Sequence, residues 1–349
     1  MRRIGAVVLA YGDEPLLAEG VAALLAGGCS RVAIVDNGFT ADPAVGEDPR
    51  ITWVRPGYNT GFTGGANLGA AALVDDCDVI VFANSDLVVD VDAPQVLTDA
   101  LADDSVGLVC GLVVLHDDPA VINSAGNPVH YSLMSWSGGW GEAAESVTEP
   151  RIVASASGAL MAVRTRDWMT LGGLNPELFA YGEDVDLSLR VWQSGRSVLC
   201  VPAAVGRHDY AFTGNPHKSY LLERNRLFNI ATLLETTTIR AFAPGLLLLE
   251  VAILAAATVG GWLPEKAAGY AWLWRNRDLV RSRRTWVQQR RRVPDEAVLP
   301  LLSDTITPAA GTGVRVPEVF NRLLSTYGGR ARRRLRRLGA GDGYDRMTQ

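Results

Sequence analysis

Cysteine is scarce in this chain, with four in 349 residues, and Cys29, Cys77, Cys110 and Cys200 show no C-x-x-C spacing. That argues against a disulfide framework or a cysteine-based zinc site, and it fits a reducing cytosol in which all four are small buried apolar residues. No internal repeat is detectable. A signal peptide is imitated but not completed: Met1-Arg2-Arg3 precedes the apolar run Ile4–Ala10, which stops at Tyr11-Gly12-Asp13-Glu14 without a cleavage-like site, so a first β-strand is expected there. A clean membrane span is missing too. Phe242–Leu263 is the most apolar stretch, but Pro244 and Glu250 interrupt it, and a charge near the middle of a span costs about 2.5–3.5 kcal/mol. An interfacial or re-entrant helix is expected there, with a buried core helix or a dimer contact as the competing readings.

What the chain does have is a hydrophobic content of 48%, which excludes a disordered protein and suffices for one large domain with an appendage. The net charge of −5 conceals an asymmetry, because 18 basic and 8 acidic residues fall from Glu265 onward against 15 and 30 before it. A basic tail of this kind suggests an anionic partner such as a lipid surface or nucleic acid, whereas the acidic body suits neither; a membrane surface is the partner expected, and no nucleic acid. Arg281, Arg283, Arg284, Arg290, Arg291, Arg292 and the run Arg330–Arg337 lie beyond the apolar stretch, an arrangement that reads as attraction to anionic headgroups.

Apolar runs and helical spacings alternate through the first 115 residues, which predicts an α/β fold with a mostly parallel sheet. Strands are expected at Ile4–Ala10, Arg31–Val35, Ile51–Arg55 and Val79–Ala83, then at Ala159–Val163 and Ser197–Val201. Ligands of open α/β sheets bind at the carboxyl ends of strands. Polar residues stand there: Asp36 after the second strand, Asn84-Ser85-Asp86 after the fourth, and His208 beyond the last. Between them Asn59–Gly69 carries Gly61, Gly64, Gly65 and Gly69 at the entry to an alanine-rich helix. Its backbone amides could cradle a phosphate, and tight helix packing would account for the glycines equally well.

The densest signal is Phe179–Arg190, in which Glu183, Asp184 and Asp186 fall within four positions after Gly182. Leu187 with Val191, and Asp186 with Arg190, are spaced four apart, so a helix should start at about Asp184 with one i,i+4 ion pair. An ordinary acidic helix start explains Glu183 and Asp184 as well as a catalytic role does. Asn123–Gly141, rich in glycine and aromatic residues, reads as a long loop or hairpin of functional length.

Taken together these motifs resemble the inverting glycosyltransferases of family 2, with the GT-A fold: a Rossmann-like, mostly parallel sheet flanked by helices, here over residues 1–235, with a C-terminal helical, basic appendage over 236–349. Six motifs occur in the family's order: Asp36-Asn37, the N-x-G-F-x-G-x-N-x-G loop Asn59–Gly69, Asn84-Ser85-Asp86 as an N-x-D variant of the D-x-D element, Ser157-Gly158-Ala159, Gly182–Arg190 and Arg224-Asn225-Arg226. The chain departs from the family at Tyr11-Gly12, where Tyr-Asn is usual, and at Gly38-Phe39-Thr40, which leaves base and sugar open.

The resemblance implies nucleotide-sugar contacts from Tyr11, Asp36, Asn59, Gly61, Gly64, Gly65, Asn67, Asn84 and Ser85, and acceptor or positioning roles for Ser157, Gly158, Asp186, Arg224 and Arg226. It implies Asp86 and His208 as ligands of Mn2+ or Mg2+, with Asp184 as general base and Glu183 beside it. Within the family the chain resembles bacterial rhamnosyl- or galactofuranosyl-transferases that act on polyprenyl-diphosphate-linked glycans. The implied donor is a dTDP- or UDP-sugar, and the enzyme is expected in the cytoplasm, peripheral on the inner face of the membrane and possibly as a homo-oligomer. A sugar nucleotidyltransferase would want a lysine or arginine in Asn59–Gly69, which has neither. A non-catalytic glycan- or lipid-binding relative would have lost the base.

Overall fold

The structure is a computed structural model that describes residues 2–40, 44–209, 217–308 and 316–338. Two compact units are formed. The first comprises Met1–Asn127, Ser137–Val191 and Arg196–Phe212; the second comprises Pro128–Trp136, Trp192–Gly195 and Thr213–Gln349. Arg224-Asn225-Arg226 belongs to the second unit. The end of the basic tail, 339–349, lies outside the described residues.

The first unit opens with β1 (Ile4–Gly12), α1 (Leu17–Ala26), β2 (Arg31–Phe39), β3 (Ile51–Val54) and α2 (Gly61–Ala71). It continues through β4 (Val79–Asn84), β5 (Leu87–Val89), α3 (Ala93–Ala100), β6 (Val106–Leu115) and β7 (Ile122–Ser124). Beyond these come β8 (Arg151–Ile152), β9 (Leu160–Arg164), α4 (Thr165–Leu171), α5 (Glu183–Gln193) and β10 (Ser197–His208). The strands form one sheet in the order β3-β2-β1-β4-β9-β6-β10-β5, with β7 on β6 and β8 on β10.

The sheet is mixed. β3, β2, β1 and β4 are mutually parallel, as expected, whereas β9 runs antiparallel to both β4 and β6, and β5 antiparallel to β10. Ile4, Val8, Ile34, Val79 and Val81, all nearly or fully buried, lie at the centre of its core. The expected strand Ser197–Val201 extends to His208, and its register against β6 shifts between Val201 and Val205, the interval that contains Pro202. A proline cannot donate to the ladder, so the irregularity falls where the donor is missing.

The second unit contains α6 (Lys218–Leu233), α7 (Thr236–Val259), α8 (Leu263–Arg275), α9 (Arg277–Arg290), the short α10 (Asp295–Val298) and α11 (Glu318–Leu338). α6 packs on α8 and α9, with the Phe228 and Trp272 rings 5.9 Å apart. Part of the expected loop Asn123–Gly141 is built into this unit: the Tyr131 hydroxyl donates to the Leu324 carbonyl, and its ring lies 4.7 Å from that of Phe242.

Candidate active site

β1 lies between β2 and β4 in a register that sets Ala10 beside Asp36 and Leu9 beside Asn84. The polar residues that follow these buried strands therefore emerge at one edge of the sheet. Tyr11 is exposed there, with its backbone N–H donating to Glu14. Asp36 accepts from the Gly38 N–H at 3.1 Å and lies 3.8 Å from Arg55. Ser85 is buried and hydrogen-bonds Glu14, whose carboxyl is held above its ordinary range chiefly by burial.

Asp86 and His208 meet. His208 pairs in register with Leu87, which brings its Nε2 to 2.9 Å from Asp86 Oδ1 and 3.3 Å from Asn84 Nδ2. The imidazole is buried and the Asp86 side chain is 37% exposed. His208 Nδ1 lies 3.4 Å from Asn123 Oδ1, a contact that favours a proton on Nδ1 and leaves Nε2 able to act as a ligand. A carboxylate oxygen and an imidazole nitrogen side by side fit a divalent cation held by two side chains. Among the described residues no cluster of three or more His, Cys, Asp or Glu is poised to hold a metal.

The glycine motif is largely absorbed by packing. α2 begins at Gly61 itself, and a Cβ on Gly65 would stand 2.6 Å from the Leu9 side chain, while one on Gly69 would overlap Val7. Gly64 faces Thr60 and Gly61 faces Phe179 in the same way. The helix thus lies against β1 at a distance only glycine allows. The loop before it is latched by Asn37, whose Oδ1 accepts from Thr60 N at 2.7 Å and whose Nδ2 donates to the Gly61 carbonyl at 3.1 Å. Asn59 Oδ1 accepts from Gly61 N in a local turn.

The far side of this motif holds the acidic segment. Thr63 N donates to the Phe179 carbonyl at 3.0 Å, and the Asn67 side chain both donates to the Leu174 carbonyl and accepts from its N–H. Phe179 (φ +63°), Tyr181 (φ +70°) and Gly182 (φ +80°) all adopt left-handed conformations just before α5. Strain of this kind at non-glycine residues persists only where surrounding contacts enforce it, and it concentrates at functional sites.

Glu183 and Asp184 follow at once, half-buried. Burial and the adjacent Asp184 carboxylate push Glu183 up to about 8, and its Oε2 is buried with no hydrogen-bond partner among the described residues. Burial also raises Asp184, against hydrogen bonds from Val185 and Asn127 that lower it. Asn127 Nδ2 donates to Asp184 Oδ2 at 3.0 Å, and Asn127 Oδ1 accepts from Ser124 at 2.9 Å. Among the described residues no cation is paired with either carboxylate.

Ser157 and Gly158 connect the two clusters. Ala156 N–H donates to Ser188 Oγ of α5 at 3.0 Å, and the Ala159 carbonyl accepts from Asn84 N at 3.0 Å. Three residues span at most about 10 Å, so α5, through Ser188, and the strand end at Asn84 attach to two ends of one short segment. A Cβ on Gly158 would touch only the Phe62 ring, at ordinary contact distance, so protein packing does not require glycine there.

Three residues with expected acceptor or positioning roles, Asp186, Arg224 and Arg226, are engaged in protein contacts. Asp186 is fully buried and paired with Arg190, which in turn donates to the carbonyls of Leu171 and Gly173. The i,i+4 pair is as expected, and through Arg190 it fixes the connection between α4 and α5. In the second unit Arg226 is buried between Glu223 and Glu250, and Arg224 lies over the Trp272 ring at 4.7 Å. Asn37, Asn123 and Asn127 were not among the predicted site residues, and each orients a predicted one.

A mixed α/β sheet flanked by helices, with acidic residues at its strand ends, defines a GT-A fold. The sequence model described as glycosyltransferase like family 2 matches residues 2–229, and the chain belongs to that family. Among solved structures it is similar to GalNAc-T7, crystallised with UDP, GalNAc and Mn2+, at 16% identity and a TM-score of 0.56, with 70% of this chain and 51% of that one covered. S. aureus TarS also matches, at 18% identity and a TM-score of 0.45, with 70% and 43% covered. The chain thus spans about half the length of the GalNAc-T7 chain. No curated protein matches it.

Proposed function

We propose that the protein moves a sugar from a nucleotide-diphosphate donor to a hydroxyl of a glycan or lipid-linked acceptor, with inversion at the anomeric carbon. The observation that carries this reading is Asp184, a half-buried carboxylate that accepts from Asn127 Nδ2 and has no paired cation among the described residues. In the reaction the acceptor oxygen bonds to the anomeric carbon as the bond to the diphosphate oxygen breaks, and the departing nucleoside diphosphate keeps the electron pair. The acceptor's proton passes to Asp184, on the face opposite the leaving group. Glu183, neutral below about pH 8, adds no second charge that would repel the donor. A divalent cation, when held by Asp86 and His208, would neutralise the charge that develops on the diphosphate. Mn2+ suits the imidazole ligand better than Mg2+ does.

A panel of UDP- and dTDP-sugars, rhamnose and galactofuranose first, tests the reading with Mn2+ or Mg2+ and a polyprenyl-diphosphate-linked glycan. Release of nucleoside diphosphate with an inverted anomeric configuration, read by NMR, is the expected result. A product with retained configuration would remove Asp184 as base, and a folded protein that turns over none of the donors would overturn transfer.

A further inference from the structure

Among the described residues α7 is the one helix long and apolar enough to cross a membrane, and much of it is uncovered. Its best 18-residue window has a mean hydropathy of 2.1, yet only 28% of that window is buried. The exposed side is continuous: Leu247 and Val251 are 66% and 65% exposed, Pro244 and Ala255 are exposed on the same side, and Val259 is 91% exposed. The opposite side, Phe242, Gly245, Leu249, Ile253 and Ala257, is buried. Leaving such a row in water forfeits the burial that an apolar side chain normally gains.

Glu250 does not interrupt this face. It is turned to the inner side, where it pairs with Arg226 at 2.6 Å and Lys266 at 2.5 Å. The same contacts exclude a spanning arrangement. α7 is tied to α6, α8 and α11, and those helices expose Arg275, Arg330, Arg333, Arg334, Arg336 and Arg337; hydrocarbon on all sides would desolvate them.

The charge on the neighbouring surface identifies the occupant. The Arg332 guanidinium lies 5.9 Å over the Phe242 ring, which brings the last turns of α11, with exposed Arg333, Arg336 and Arg337, beside the first turns of α7, where Arg240 is exposed. At the end of α8, Trp274 is 71% exposed next to exposed Arg275 and Arg277. An apolar row flanked by guanidinium groups and an indole matches the interface of an anionic bilayer, with apolar side chains below the headgroups and arginines among them. We infer that α7 is an in-plane membrane anchor for anionic lipid surfaces. This goes beyond the proposed transfer reaction and does not depend on it, because binding is read without donor or acceptor.

The test is co-sedimentation of the full chain with vesicles of phosphatidylcholine alone or with phosphatidylglycerol at a ratio of about 7:3, at low and high salt. Wild type should sediment with the anionic vesicles and be released by salt, since headgroup attraction is screened within about 8–10 Å. The pair Leu247→Glu with Val251→Glu should weaken partitioning at least about tenfold, with circular dichroism and Tm as folding controls. Should the pair misfold, Val259→Glu at the exposed end of the helix replaces it, with loss of binding again expected. Binding that is absent at low salt, or unchanged in a folded variant, would overturn the inference. So would a wild-type dimer that the variant converts to monomer while vesicles capture neither, because the face would then join two copies of the chain.

Discussion

Two pairs of acidic residues, one in each unit, are taken largely out of water and respond in opposite directions. In the second unit burial alone would raise Glu223 and Glu250, but Arg226 and Lys266 outweigh it, so that Glu223 is lowered and Glu250 falls to about 2. In the first unit Glu183 and Asp184 meet no cation among the described residues, and burial raises both, Glu183 to about 8. Burial is common to the two pairs; the partners differ. A buried acid closed by cations is committed to structure, whereas one left open retains a lone pair for a reactant.

The contrast breaks most visibly at Asp184. Asp184→Asn should lower kcat by about 10²–10⁴-fold, the range of general base catalysis, while calorimetry finds donor affinity unchanged. A variant that keeps more than about a tenth of the wild-type kcat would show that the open carboxylate is not the base.

The paired side should fail in stability instead. Glu250→Ala leaves Arg226 and Lys266 sharing Glu223, and breaking a buried ion pair costs about 3–5 kcal/mol. Urea denaturation reads this directly; a loss under about 1 kcal/mol would place the pair among surface ion pairs of little consequence.

Asn127→Leu sharpens the comparison within the first unit. It removes one hydrogen bond to the ionised base, so kcat/KM should fall about tenfold. Because that bond lowers the Asp184 pKa, the acid limb of the pH–rate profile should move to higher pH. An unmoved limb would reduce Asn127 to a packing role.

pH-dependent stability gives the last comparison. Glu183 is raised from 4.5 to about 8 on folding, so between those values the folded chain holds a proton that the unfolded chain has released. Stability therefore falls as pH rises through that window and levels off above it. Glu183→Gln should flatten the fall, which a Tm series from pH 5 to 8.5 would reveal as a narrower spread of a few degrees.

Residues at strand ends were legible in the sequence because a polar residue directly after a buried apolar run marks its own position. Asp36, Asn84, Asp86 and His208 were found in that way. The glycines of Asn59–Gly69 were equally visible, but backbone approach to a ligand and backbone approach to β1 require the same residue, and only the structure shows Leu9, Val7 and Phe179 in the space. The direction of β9 was hidden, since a fully buried strand reads alike either way. The asparagines were hidden for another reason: Asn127 lies 57 positions from Asp184 and Asn123 lies 85 from His208. An isolated asparagine has no periodicity that would announce such a partner.

The difference between open and closed carboxylates is tested most directly by a 13C NMR titration of protein labelled at the glutamate side-chain carboxyl carbon, with Glu183→Gln identifying one signal by its absence. That signal should titrate near 8, while a glutamate held near 2 remains ionised through the accessible range. A Glu183 signal that titrates below about 5, in the ordinary glutamate range, would contradict the account.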